Sequence, residues 1–276
     1  MASGVFYNSY SSGGAIYLAG GATLTYSVTS GNDIVNKGNE AYSSAAGGGF
    51  LYMESTSDKA IFDIAEDATL TIGDTSNNDS FSGSGTITKS GVGYMLVNSH
   101  IYNYYLNWVI SGGTLELGRI ARTIDLKNFN IGVGATLKLS SLADTVNMST
   151  DKNIGILDLG GGSDVIDTKG YSLSGGELRI SKLRLTGAGR ISSNIVTRDP
   201  NAGFDLTLAG IQLESNIIGG NATCQGTDIG LLDHRIHRGG VGKGNVQLDD
   251  VRAACNGSLD GFFGGSQVRI TAGEEC

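Results

Sequence analysis

Disulfide scaffolding is missing from most of this chain. Its three cysteines, Cys224, Cys255 and Cys276, lie near the end, so the first 223 residues must hold together by packing and strand pairing. Three thiols leave at least one unpaired in a monomer, and no motif supports a Cys224–Cys255 bridge. Proline and tryptophan each occur once in 276 residues. With so little proline, collagen is excluded despite 44 glycines, because the triple helix needs Gly at every third position beside abundant proline. Charge is scarce too, at 17% of residues against 39% apolar, which excludes a charged disordered chain. No run of 18 consecutive apolar residues occurs, so no membrane-spanning helix is expected. Met1-Ala2-Ser3-Gly4 has neither a basic region nor an apolar core behind it, and no signal peptide is expected in this chain. Lys plus Arg number 19 against 27 Asp plus Glu, a net charge of −8, and no stretch gathers the basic residues into a phosphate-neutralising patch. Nucleic acid is therefore not an expected partner.

What the chain does have is glycine set beside Thr, Ser, Leu, Ile and Asn in short β-prone runs, the mixture of many short strands joined by tight turns. One signature recurs: a small residue, a polar residue, Leu, a variable residue, then an apolar or aromatic one. It appears as Ala22-Thr23-Leu24-Thr25-Tyr26, Ala68-Thr69-Leu70-Thr71-Ile72, Gly113-Thr114-Leu115-Glu116-Leu117, Ala135-Thr136-Leu137-Lys138-Leu139 and Gly176-Glu177-Leu178-Arg179-Ile180. The central leucines are 46, 45, 22 and 41 residues apart, close to one or two multiples of about 22, a solenoid period. Leu and the residue two later share a face while Thr, Glu, Lys or Arg take the other, as in a half-buried strand. Stacking coils of about 22 residues would place Leu24, Leu70, Leu115, Leu137 and Leu178 in one apolar column. A propeller blade takes about 40 residues and four antiparallel strands, which the 22-residue interval disfavours. The expected fold class is all-β, a single-stranded parallel β-helix.

The run from Gly83 to Leu96, Gly-Ser-Gly-Thr-Ile-Thr-Lys-Ser-Gly-Val-Gly-Tyr-Met-Leu, is followed by Ile110-Ser111-Gly112-Gly113-Thr114-Leu115-Glu116-Leu117-Gly118. Together they resemble the passenger-associated repeat of bacterial autotransporters, with Ile87 in place of Leu. Ser12-Gly13-Gly14-Ala15-Ile16-Tyr17, Asn39-Glu40-Ala41 and Gly47-Gly48-Gly49-Phe50-Leu51-Tyr52 are similar to the Gly-Gly-Ala-Ile repeats of polymorphic outer-membrane and adhesin-type passengers. The resemblance covers roughly residues 10 to 195. It implies a right-handed parallel β-helix at the bacterial cell surface, associated with the outer membrane. It also implies a translocating β-barrel in the full-length protein, which this chain does not contain. Residues 1–220 are expected to form the passenger β-helix. Residues 221–276 lose the Leu signature and carry all the cysteines and two of the three histidines, and are expected to form an irregular tail, a cap or an interrupted end.

Several constellations could carry chemistry. Leu157-Asp158-Leu159-Gly160-Gly161-Gly162-Ser163-Asp164-Val165-Ile166-Asp167 resembles the Gly-rich aspartate turns that bind Ca²⁺ in β-rolls, with Asp158, Asp164 and Asp167 as oxygen ligands. Such sites draw ligands from successive turns and this motif occurs once, so a solvated Gly-Asp turn is the plainer reading and no cofactor is expected. Asp233, His234 and His237 have ligand chemistry but no further spaced ligand set. His100 falls in an expected tip loop, and no Gly-x-Ser-x-Gly elbow supports a nucleophilic triad. The aromatic cluster Tyr94, Tyr102, Tyr104, Tyr105 and Trp108 supplies large rigid contact area. Tyr102, Tyr104, Tyr105 and Trp108 are the candidate binding residues, with loop capping as the structural alternative.

Two functions from different classes follow. A non-enzymatic, surface-exposed adhesin would use loops or a solvent face to attach to host glycans, matrix proteins or neighbouring cells. A carbohydrate-active β-helix enzyme, a polysaccharide lyase or glycoside hydrolase, would need carboxylates clustered with a basic residue on consecutive coils, where the sequence shows scattered charges. The first is the expected one.

Overall fold

The computed structural model describes residues 7–8, 15–41, 49–74, 79–99, 105–118, 123–139, 145–198, 205–209, 211–213, 217–218, 222–225, 236–237, 246–249 and 268–271. Strands in this set pair in parallel, and among the described residues the one helical turn is the 3₁₀ segment Leu126–Asn128. This is a parallel β-helix. The chain divides into two compact units, Met1–Ser140 with Gly155–Leu157, and Ser141–Ile154 with Asp158–Cys276.

In the first unit the chain visits three sheets in turn. Leu51–Met53, Lys59–Ile64 and Thr69–Ile72 are followed by Phe81–Gly83, Thr86–Ser90 and Tyr94–Val97, each lying beside its counterpart one coil earlier. Tight turns join them. At Gly91, φ is 70° and an added Cβ would sit 2.1 Å from the Ile64 carbonyl oxygen, so only glycine lets successive turns stack this closely. Register partners are not evenly spaced: Thr23, Lys59, Thr86 and Asn107 face one another at intervals of 36, 27 and 21 residues. Turns of different length absorb the difference while the strands keep their alignment.

Alternation buries every second side chain. Leu70 and Ile72, Leu115 and Leu117, and Leu137 and Leu139 are all buried, and Leu70, Met95, Leu115 and Leu137 are successive register partners. Leu24 does not belong to that column. It pairs with Ala60 in a different sheet and is half-buried, while Ile34 is the partner of Leu70. The signature marks any half-buried strand after a tight turn, and a coil with three strands offers it on more than one side.

The centre of this unit is aromatic. Phe50 and Phe81 lie 5.4 Å apart between ring centroids, Phe81 and Trp108 5.4 Å, and Trp108 stacks on Phe129 at 6.3 Å with 13° between planes. Each such pair contributes about 0.5–1.5 kcal/mol beyond the area it buries. A buried carboxylate supports the turns: Asp58 accepts from the N–H groups of Gly21 (2.8 Å) and Ala22 (3.0 Å) through one oxygen and of Ser55 (2.8 Å) through the other. Asp79 does the same for Gly38 (2.9 Å) and Asn39 (2.6 Å). These charge-assisted bonds offset the cost of burying the carboxylates.

The second unit has the same construction. One sheet orders Thr145–Asn147, Ser163–Asp167, Lys182–Thr186 and Asp205–Ala209, and Leu178, Ile195, Ile217 and Ile236 are successive register partners in another. Leu178 is buried, as its signature predicts. Within 221–276, Ala222–Gln225, Val246–Asp249 and Val268–Thr271 pair in parallel. The described core here is aliphatic, with Val146, Ile166, Leu173, Leu183, Leu185 and Leu206 buried.

Candidate functional site

One ordered surface in the first unit is the outer side of a five-stranded sheet, in the order Phe129–Ile131, Asn107–Ile110, Thr86–Ser90, Lys59–Ile64 and Thr23–Val28. Inward positions are filled by Phe62, Ile64, Ile87, Trp108, Ile110 and Phe129, which forces the intervening residues outward. Register then lines them up in rows: Thr23, Lys59, Thr86 and Asn107, beside Thr25, Ile61, Thr88, Val109 and Asn130, beside Ser27, Asp63 and Ser90. Short hydroxyl and amide side chains dominate, and Lys59 and Asp63 are the only charges on these rows. Ser90 Oγ donates to Asp63 Oδ1 at 3.0 Å. The face is rich in hydrogen-bonding groups, with Ile61 and Val109 set between Thr25, Thr88 and Asn130 in the central row.

The tyrosines expected at a contact patch are placed as follows. Tyr105 is 72% exposed in the turn leading to Asn107, at the margin of this face. Trp108, expected beside it, is instead 1% exposed and packed between Phe81 and Phe129. Its parity explains this, because Trp108 and Ile110 share the inward side of one strand. Tyr102 and Tyr104 lie outside the described residues, as do His100, Asp233 and His234. Tyr94 is on the outer side of a neighbouring sheet, where its hydroxyl donates to Glu116, which also pairs with Lys138 at 2.5 Å. A second aromatic surface, Tyr17 stacked on Tyr52 at 5.6 Å and 9°, was not singled out from the sequence. A hydrogen bond from its phenol to Glu54 raises the Tyr17 pKa above its ordinary value.

The aspartates weighed as calcium candidates take up positions within the fold. Asp158 Oδ1 accepts from the Gly160 N–H at 3.1 Å and pairs with Arg198 Nε at 2.6 Å, and Asp167 Oδ1 accepts from the Lys169 N–H at 3.1 Å. Asp164 is buried on the inward side of its strand, and outward Asp167 has the opposite parity. Among the described residues no group of three His, Cys, Asp or Glu side chains is arranged to hold a metal ion.

Sequence comparison bears on these surfaces. Over 79 residues, 28% of this chain, the sequence is 39% identical to the probable autotransporter YfaL of Escherichia coli (strain K12). Part of the chain is autotransporter-related. The match spans 6% of that protein's length. No family model matches the chain, and no solved structure matches it.

One further group was missed by sequence reasoning. Lys89, inside the motif that resembles the passenger repeat, is fully buried. Its ammonium donates to the carbonyls of Ser90 (2.9 Å), Gly91 (2.9 Å) and Gly112 (3.0 Å), so one cation holds a turn to its neighbour one coil on. Burial pushes its pKa down to about 8, against the opposing influence of Asp63. The signal was parity: Lys89 stands two residues after inward Ile87.

Proposed function

We propose that this chain is a non-enzymatic passenger segment of an autotransporter-type protein, displayed at the bacterial cell surface, that attaches to host glycans, matrix proteins or neighbouring cells. Its export would depend on an outer-membrane β-barrel elsewhere in a longer protein. The observation that carries the reading is the in-register polar face over Thr25, Thr88 and Asn130, bordered by exposed Tyr105 and backed by a close-packed core. The partial likeness to a probable autotransporter and the passenger-type motif at residues 83–118 support it.

The test is adhesion by the purified chain to a glycan array, to matrix proteins and to cultured cells. The triple substitution Thr25→Glu, Thr88→Glu and Tyr105→Ala should lower adhesion at least about tenfold while the melting temperature hardly moves, as for surface changes that remove a contact centre. No adhesion to any surface at high micromolar concentration, or unchanged adhesion by the variant, would remove the proposal.

A further inference from the structure

The spread of basic residues along the sequence hides one local excess. Lys169, Arg179, Lys182, Arg184, Arg190 and Arg198 fall within residues 168–198, where Glu177 is the single acid, in a protein of net charge −8. Arg179 and Arg198 are committed to partners: Arg179 Nη2 is 3.0 Å from Glu177, and Arg198 Nε is 2.6 Å from Asp158. Lys182 and Arg184 are different. They lie on the outer side of Lys182–Thr186, and both are exposed. Buried Leu183 and Leu185 between and beyond them fix that orientation. Two residues along a strand is roughly 6.6 Å, so the two cations form a short row and not a point.

The row lies between two neighbouring strands. Ser163 and Asp205 flank Lys182 in register, and Val165 and Thr207 flank Arg184. Beyond the end of strand Ser163–Asp167, the turn exposes Lys169 and Tyr171, the latter at 38%. That turn is held in shape: Asp167 Oδ1 accepts the Lys169 N–H at 3.1 Å, and the Tyr171 carbonyl accepts the Arg190 N–H at 3.3 Å. A row of two cations, with an exposed tyrosine on the turn beyond the neighbouring strand, offers charge pairing together with an aromatic surface.

We propose that Lys182 and Arg184, with Lys169 and Tyr171 at the adjoining turn, form a contact site for an acidic polysaccharide. The proposal rests on the attachment reading and names a ligand class for it on a surface separate from the threonine-rich face. Charge density favours a glycan over nucleic acid. Duplex DNA carries one charge per about 1.7 Å and is held by many phosphate contacts, whereas a carboxylated or sulfated glycan carries its charges on successive rings and matches a sparse row.

The test uses the full chain and its Lys182→Ser/Arg184→Ser variant against heparin, polygalacturonate, neutral dextran and a DNA duplex, at low and moderate salt. The expected result is binding to heparin or polygalacturonate and not to dextran, weakened at least about tenfold in the variant, with a shallower salt dependence and an unchanged melting temperature. Which of the two polymers binds distinguishes sulfate from carboxylate recognition. The charge-conserving Lys182→Arg/Arg184→Lys exchange should retain binding. Equal binding by the double-serine variant, equal affinity for DNA, or no binding to either acidic glycan would overturn the proposal. A chain that adheres to cells but binds neither acidic glycan would overturn this site and leave the attachment reading standing. A chain that binds heparin through these residues but adheres to no cell would support this site and remove that reading.

Discussion

The two units solve one problem with different materials. Both stack parallel strands around an apolar interior, yet the first fills it with Phe50, Phe62, Phe81, Trp108 and Phe129, while the described interior of the second is aliphatic. Their surfaces differ as well. The first presents rows of threonine, serine and asparagine with few charges, and the second sets Lys182 and Arg184 outward within a stretch almost free of acids. Parallel coil geometry thus constrains which positions face inward and outward, and leaves the chemistry of each side open. Fold alone therefore does not assign function, and each surface has to be read for its own chemistry.

The strongest challenge to this comparison is a charge placed inside each unit. Leu115→Asp and Leu183→Asp should each cost about 5 kcal/mol in denaturant unfolding, because either core would hold an unpartnered carboxylate. A small loss at either position would show that the site is not a closed interior. Next comes the aromatic stack: Trp108→Ala should cost about 3–5 kcal/mol, while the volume-conserving Leu183→Met should cost less than about 1.5 kcal/mol. Comparable losses would mean that the aromatic interior is no more sensitive to shape than the aliphatic one.

Lys89 gives the first unit a pH dependence. Its folded pKa of about 8 lies below the ordinary 10.5, so between those values the unfolded chain binds more protons and stability rises with pH. The cost of a charged amine in the core is present in full below pH 8 and fades as pH climbs toward 10.5, an effect on the order of 3 kcal/mol. Melting curves from pH 7 to 10 should show this rise in the natural chain relative to Lys89→Met. Parallel curves would disprove it. The smallest expected effect is at the outward Thr114→Asp, within about 0.5 kcal/mol by the same unfolding assay.

Much of the framework was legible because alternation is a local property. Leu70, Leu115, Leu137 and Leu178 could be placed inward from five-residue windows, since the pleat reverses the side chain at every step. Which sheet a strand joins is not local, and Leu24 shows the consequence: an identical signature landed beside Ala60 in another sheet. Individual coil lengths were not legible either, because turns of different size separate aligned strands, as at the intervals of 36, 27 and 21 residues. For the site, parity alone would have moved Trp108 inward and drawn attention to Lys89, but residue type outweighed position in both readings. The outer rows could not be foreseen as a surface, since Thr25, Ile61, Thr88, Val109 and Asn130 are aligned through register between strands far apart in sequence.

Asp58 has a consequence for how such a chain finds its alignment. Near-identical coils invite a strand to pair one turn too early or too late, and the backbone ladder alone scarcely distinguishes those mistakes. Asp58 does distinguish them, because its Oδ1 is filled only when the N–H groups of Gly21 and Ala22, far back in the chain, converge on it. A slipped pairing would leave Oδ1 of this buried carboxylate without its two donors, while the local bond from Ser55 stays in place. One buried acid therefore acts as a key cut for a single lock, making the wrong stack costly from its first misplaced turn.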